Sequence, residues 1–159
     1  LRVLARTPDA RPARLTSLGA VTGLILFVQL FYGALVAGLN AGLVTDQWPL
    51  MNGRFFPGAT VEGRPFLDAL FNDPAIVHFV HRWWAWVTVA ALVVLARATR
   101  GLDRRASIAI HSAFGTQILL GIATVMTSVN LELAALHQLT GALLVIATAW
   151  GAHVVGQRR

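Results

Sequence analysis

The sequence contains no cysteine and no lysine, and few charged residues of any kind. Of its 159 residues, 13% are charged and 56% hydrophobic, and the mean hydropathy is +0.64. Soluble domains carry about 25% charged and about 45–50% apolar residues. Without cysteine the chain has no disulfides, thiolate nucleophiles, cysteine-ligated zinc or iron–sulfur clusters. The composition therefore argues against a soluble enzyme and favours a polytopic membrane protein.

Long windows without charged side chains indicate where the chain crosses the membrane. The windows cover 31, 23, 26 and 25 residues, and Arg82 interrupts only the second. A membrane-spanning helix needs about 20 mostly apolar residues. We therefore predict an all-α fold, a bundle of four transmembrane helices at about 16–40, 74–97, 105–128 and 133–156. Residues 1–15 are predicted as a cytoplasmic linker, 41–73 as an outer loop and 157–159 as a cytoplasmic tail.

Residues at the predicted helix ends match the preferences of helix termini. Asp73 followed by Pro74 suits the N-cap and first position of the second helix. Asp103 and Asn130 are candidate N-caps of the third and fourth helices. These residues support the predicted boundaries.

The distribution of arginine orients the predicted bundle. One side carries ten arginines against two acidic residues, a net charge of +8, and the other carries three against five, a net charge of −2. Because an excess of Lys and Arg marks cytoplasmic loops, we predict cytoplasmic termini for a protein of the bacterial cytoplasmic membrane, in contact with the lipid bilayer. The arginines are dispersed over helix ends, so we expect no nucleic-acid partner.

Histidines inside the apolar windows are the candidate functional residues, because polar groups are costly in a membrane. His81 lies about 10 Å along the second helix from its outer end, and His137 lies at a comparable depth in the fourth. Two imidazoles at one level on facing helices suit bis-histidine ligation of haem iron. The same pair could also bind copper or zinc, or could only fill helix contacts.

Other polar residues in these windows have less definite roles. Arg82 needs an anion inside the membrane, such as a haem propionate, or else its side chain extends to the outer headgroups. His78 is expected at the membrane interface. His111 and His153 lie near the cytoplasmic helix ends, where they either meet headgroups or form a second haem site.

Several segments, in order, resemble the haem A synthase family, most of all its alphaproteobacterial and mitochondrial branch. The segments are residues 33–44, 48–57, 72–74 followed by His81 and Arg82, 117–124 and 136–138. The similarity extends from about residue 16 to about residue 156.

The resemblance implies a fold and a role. The family consists of two similar four-helix halves, each with a pair of haem-ligating histidines, and this chain resembles the carboxy-terminal half. By resemblance, His81 and His137 hold a haem b. Our own expectation adds Arg82 as a propionate partner and Gln138 as a residue that helps to orient the ligand helix or its surroundings. The family oxidises a methyl group of haem O to the formyl group of haem A, which cytochrome oxidase uses.

The resemblance assigns the substrate haem and a catalytic glutamate to the amino-terminal half, which this chain does not match. Glu132 does not lie in the glutamate motif, and His78 stands where glutamine is expected. We therefore expect an oxidoreductase chain that supplies haem b and pairs with an amino-terminal half or a second copy. Cytochrome oxidase assembly and haem O synthase are further expected partners. The alternatives are a standalone b-type cytochrome with one or two haems, and a scaffold without haem.

Overall fold

The computed structural model describes residues 13–157 and consists of four long helices and one short helix. Helix α1 spans Ser17–Gly38, α2 Phe66–Asn72, α3 Pro74–Arg100, α4 Arg104–Met126 and α5 Leu131–Gly156. The four long helices are apolar and long enough to cross a membrane. Among the described residues no β-strand forms, and an isolated bridge joins Met51 to Arg54. The predicted all-α membrane bundle is confirmed, and the chain is an integral membrane protein.

The ends of the long helices are fixed by the side chains that the sequence indicates. Asp73 accepts hydrogen bonds from the backbone N–H groups of Ala75 and Ile76 at the start of α3. Asp103 caps α4 and Asn130 caps α5 in the same way, so the three predicted caps are confirmed. Helix α1 ends at Gly38, and Asn40 follows it in the left-handed region at φ 51°. The predicted linker up to residue 12 and residues 158–159 of the tail lie outside the described residues.

The four long helices pack as a bundle in which α1 and α4 each contact both α3 and α5. We name the end that carries residues 39–72 the loop end, and the end with the α3–α4 connection, residues 101–103, the turn end. The apolar core lies mainly toward the turn end and contains Leu92, Leu95, Ile110, Leu144 and Val155. The polar residues of the candidate site lie toward the loop end, outside this apolar core.

Residues 41–73, predicted as a loop, contain two helical elements. A 3-10 turn spans Ala41–Val44 and α2 spans Phe66–Asn72. Helix α2 begins directly after Pro65, and an ion pair of 2.7 Å between Arg64 and Asp68 spans its first turn. We name residues 39–65 the outer segment.

Candidate functional site

His81 projects from α3 toward two residues of α1. Nε2 of Gln29 lies 3.2 Å from Nδ1 of His81 and 3.4 Å from its Nε2. The same amide donates a 3.2 Å hydrogen bond to the backbone carbonyl of His81. One turn further along α1, a Cβ placed on Gly33 would lie 3.2 Å from Cε1 of the ring. The imidazole of His81 is therefore held between a glutamine and a glycine.

His137 has matching surroundings on the other side of the bundle. It projects from α5 toward α4, where Nε2 of Gln117 lies 3.4 Å from its Nε2. A Cβ placed on Gly121 would lie 3.0 Å from Cε1 of His137. Nδ1 of His137 is buried without a hydrogen-bond partner among the described residues.

The structure places the two predicted ligands at a similar depth on two helices that contact each other. His81 lies seven residues after the start of α3, and His137 lies six residues after the start of α5. These two helices contact each other. The bundle therefore offers two ring nitrogens at the loop end, each carried by a different helix.

Arg82 is buried beneath the outer segment. The residue is only 6% exposed, so its guanidinium does not extend to the headgroups. Its Nε donates to Nε2 of His78 at 3.0 Å, and its Nη1 donates to the carbonyls of Gln47 and Leu50 at 3.0 and 3.3 Å. Its Nη2 has no partner among the described residues. His78 is only 2% exposed, so its side chain packs inside the protein near the start of α3.

Asp73 fastens the outer segment to the start of α3. One carboxylate oxygen caps the helix, while the other accepts hydrogen bonds from the N–H and hydroxyl of Thr60 at 2.7 and 2.6 Å. Burial alone would raise the pKa of Asp73. The hydrogen bonds from Thr60, Ile76 and Ala75 favour the carboxylate more strongly, so the pKa lies below its ordinary value.

The other predicted polar residues make only local contacts. His111 hydrogen-bonds the carbonyl of Ser107 at 2.8 Å, and His153 pairs with Gln157 at 3.2 Å, each within or at the end of its own helix. Both histidines are exposed, and these contacts do not support a second haem. Gln138 is exposed as well, and Gln117 on the neighbouring helix contacts His137 instead.

Two surface cavities lie at the ends of the bundle, away from the paired histidines. The larger, about 630 Å³, is lined at the turn end by residues that include Arg104, Arg105 and Val154. Val154 lies 17 residues beyond His137, a distance of about 25 Å along a helix. The smaller, about 240 Å³, lies beside the outer segment and includes Asp46 and Asn52. Among the described residues, no group of three or more His, Asp or Glu side chains could hold a metal ion.

The two glutamines beside the histidines are not among the site residues predicted from the sequence. Both are polar residues inside charge-free windows, which is the signal that selected the histidines. Their partners are 52 and 20 residues away in the chain. Only the packing of α1 on α3 and of α4 on α5 shows that each glutamine faces a histidine.

Comparison with known proteins assigns the family. The model of the cytochrome oxidase assembly protein family, COX15-CtaA, matches residues 1–149. The chain is 60% identical to a Heme A synthase of Erythrobacter litoralis over all 159 residues, and 49% identical to that of Novosphingobium aromaticivorans over 166 aligned positions. In both cases 100% of the chain is covered.

The match covers only part of each relative. The chain accounts for 47% of either of these two proteins, so it spans about half the length of the curated relatives it matches. A Heme A synthase of Sphingopyxis alaskensis is 50% identical over 163 positions, which are 99% of the chain and 45% of that protein. No solved structure matches. Since both the family model and the relatives match nearly the whole chain, the chain belongs to the COX15-CtaA family of cytochrome oxidase assembly proteins.

Proposed function

We propose that this chain is the haem b-binding part of a haem A synthase, with His81 and His137 as the two iron ligands. The observation that carries the proposal is that these two histidines lie at a similar depth on α3 and α5, which contact each other. Each ring belongs to a separate helix, as ligation from the two sides of a flat macrocycle requires. We infer the type of reaction, synthesis of haem A, from the name Heme A synthase that these relatives carry.

The residues around the pair fit a bound haem. Imidazole is a normal axial ligand of haem iron. Several polar atoms at this level are buried without partners among the described residues, namely Oε1 of Gln29, Oε1 of Gln117 and Nδ1 of His137. Because buried polar atoms are normally satisfied, such unpartnered atoms favour a missing polar or metal-bearing group.

Arg82 fits the anionic edge of that group. Its Nη2 is buried and free among the described residues, and no carboxylate there pairs with the guanidinium. A charge held in the membrane without a counterion is costly. Arg82 directly follows His81 in the chain, so a propionate of a haem held by His81 is a fitting partner. The outer segment, whose carbonyls bind the same guanidinium, would cover that edge.

A haem held by these two imidazoles would supply one-electron transfer. The chain's own residues hold the ligands in place, and Arg82 supplies a buried positive charge beside them. Oxidation of a methyl group to a formyl group removes four electrons and adds one oxygen atom. A partner that delivers or removes single electrons suits such a stepwise reaction.

The complete reaction belongs to a larger assembly in this proposal. The chain spans 47% of its relatives' length, and the family resemblance assigns the substrate haem to an amino-terminal half. We propose that this half, or a second copy of the chain, packs against the bundle. Association with cytochrome oxidase assembly factors follows from the family description, and association with haem O synthase follows from the substrate.

Absorption spectra of the purified chain and of two ligand variants test the assignment. We expect the wild-type chain to show a low-spin haem b spectrum and His81→Ala and His137→Ala to lose it, because each variant removes one axial ligand. Added imidazole fills the space left by the deleted side chain, so it is expected to restore the low-spin spectrum.

The matched controls are His111→Ala and His153→Ala, because these histidines contact only their own helices or helix ends. Both controls should keep the wild-type spectrum. An unchanged spectrum in His81→Ala and His137→Ala would refute the ligand assignment. A wild-type chain without haem would indicate a scaffold, and loss of a second haem in His111→Ala would indicate a standalone b-type cytochrome.

A further inference from the structure

The two histidine environments are built from the same local pattern. On α1, Gln29 precedes Gly33 by four residues, and on α4, Gln117 precedes Gly121 by four. Both glycines lie five residues before the last residue of their helix. Because residues four apart share a helix face, each Gln and Gly present one surface to the histidine opposite. We name each such pair a Gln–Gly clamp.

The glutamine of the first clamp lies over the face of its imidazole. Nε2 of Gln29 is nearly equidistant from the two ring nitrogens of His81, at 3.2 and 3.4 Å. An atom at these distances cannot lie in the ring plane beside Cε1, because it would collide with that carbon. The bond from the same amide to the His81 carbonyl fixes the glutamine to α3.

The glutamine of the second clamp is confined by α5. Its Nε2 is 3.4 Å from Nε2 of His137, and a Cβ placed on Gly141 would lie 3.3 Å from it. Any side chain at position 141 would therefore compete for the space of the Gln117 amide. Both amides are thus held against their imidazoles by backbone on the facing helix.

The glycines limit the rotation of the rings. A Cβ on Gly33 would lie 3.2 Å from His81, and one on Gly121 would lie 3.0 Å from His137. Both distances are shorter than ordinary carbon–carbon contacts of about 3.5–4.0 Å. Each ring therefore packs directly on the backbone of the neighbouring helix, and an alanine there would push it aside.

We propose that the two Gln–Gly clamps set the ring planes of the axial ligands, with Gln29 and Gln117 as positioning residues. This inference rests on the proposed haem function. Groups around a metal ligand commonly fix its orientation and tune the metal. The angle between the two imidazole planes governs the g values of a low-spin ferric haem, so the clamps control a quantity that can be measured directly.

Electron paramagnetic resonance of Gln29→Leu and Gln117→Leu tests the glutamines. Leucine keeps the approximate size of the side chain but removes the amide. We expect both variants to retain the wild-type haem content and to show shifted low-spin g values and a shifted reduction potential. The matched control is Gln157→Leu, because Gln157 is exposed and its side chain contacts His153 at the far end of α5, so both readouts should stay unchanged.

Alanine substitutions of four glycines test the close packing. Gly33→Ala and Gly121→Ala should weaken haem retention about 10-fold, in line with other losses of ligand orientation. Gly23→Ala and Gly115→Ala lie on the same two helices with no atom within 4 Å, so they should behave as wild type.

These experiments distinguish a failure of the clamp proposal from a failure of the proposed haem binding. Unchanged g values and potential in both leucine variants would overturn the role of the glutamines, even when His81→Ala still loses the haem. Equal haem retention in all four alanine variants would overturn the packing role of the glycines. A wild-type chain without low-spin haem would instead overturn the proposed function itself.

Discussion

Arg82 is the residue whose surroundings most need a partner from outside the chain. Its guanidinium binds two carbonyls and His78, and one of its nitrogens remains buried and free among the described residues. Three neutral acceptors do not neutralise its charge. In the proposed function that charge meets a haem propionate.

Arg82→Gln should lower both stability and reduction potential. Loss of hydrogen bonds from a charged donor should reduce the free energy of unfolding by about 1–3 kcal/mol. Removal of a positive charge near the haem favours the ferric state, so the potential should become more negative. Thermal unfolding in detergent and a redox titration measure the two effects. Arg54→Gln is the control, because Arg54 is an exposed arginine of the outer segment, and equal potentials in both variants would contradict the propionate pairing.

Individual site residues could be predicted where a polar side chain interrupts an apolar, membrane-spanning window. His81, Arg82 and His137 stand out because each interrupts an apolar window. The burial of His78 and the contacts of Gln29 could not be predicted, because they depend on chain segments that lie far away in sequence. A polar residue in a membrane helix indicates a buried partner, but only helix packing identifies it.

At the scale of whole elements, the junction between the outer segment and α3 depends on Asp73. Its carboxylate both caps α3 and holds Thr60. Loss of an N-cap costs about 0.5–2 kcal/mol, and the Thr60 bonds add to that cost. Asp73→Ala should therefore lower the melting temperature more than the control Asp46→Ala. Asp46 is an exposed acidic residue of the outer segment.

The contribution of Asp73 should also depend on pH. Because its pKa in the folded protein lies below the ordinary value, the carboxylate stabilises the fold above the unfolded-state pKa of about 3.9. This stabilisation is lost as the pH falls through the folded-state pKa. The difference in stability between wild type and Asp73→Ala should stay constant from about pH 5 to 8 and shrink below about pH 4. A difference that persists undiminished at pH 3 would show that the charge is not responsible.

The long helices could be predicted because length, apolar composition and caps agree for each of them. Helix α2 could not be predicted with the same tools. It has seven residues, which is too short to show a clear helical period, and short helices depend on tertiary packing for stability.

For the whole molecule, the arginine asymmetry predicts cytoplasmic termini and an external outer segment. The absence of cysteine makes this testable with single introduced thiols. Glu62 in the outer segment and Leu102 at the turn end are both exposed. An impermeant maleimide should label Glu62→Cys in intact cells, and Leu102→Cys only after permeabilisation. Labelling of Leu102→Cys in intact cells would show that the chain has the opposite orientation in the membrane.

The central claim is that one haem is held between His81 and His137. The ratio of haem to chain, measured on purified protein, tests it most directly. We expect one haem per chain in the wild type, almost none in the His81→Ala/His137→Ala double variant, and one in the His111→Ala/His153→Ala double variant. A ratio of two in the wild type, or of one in the His81→Ala/His137→Ala variant, would contradict it.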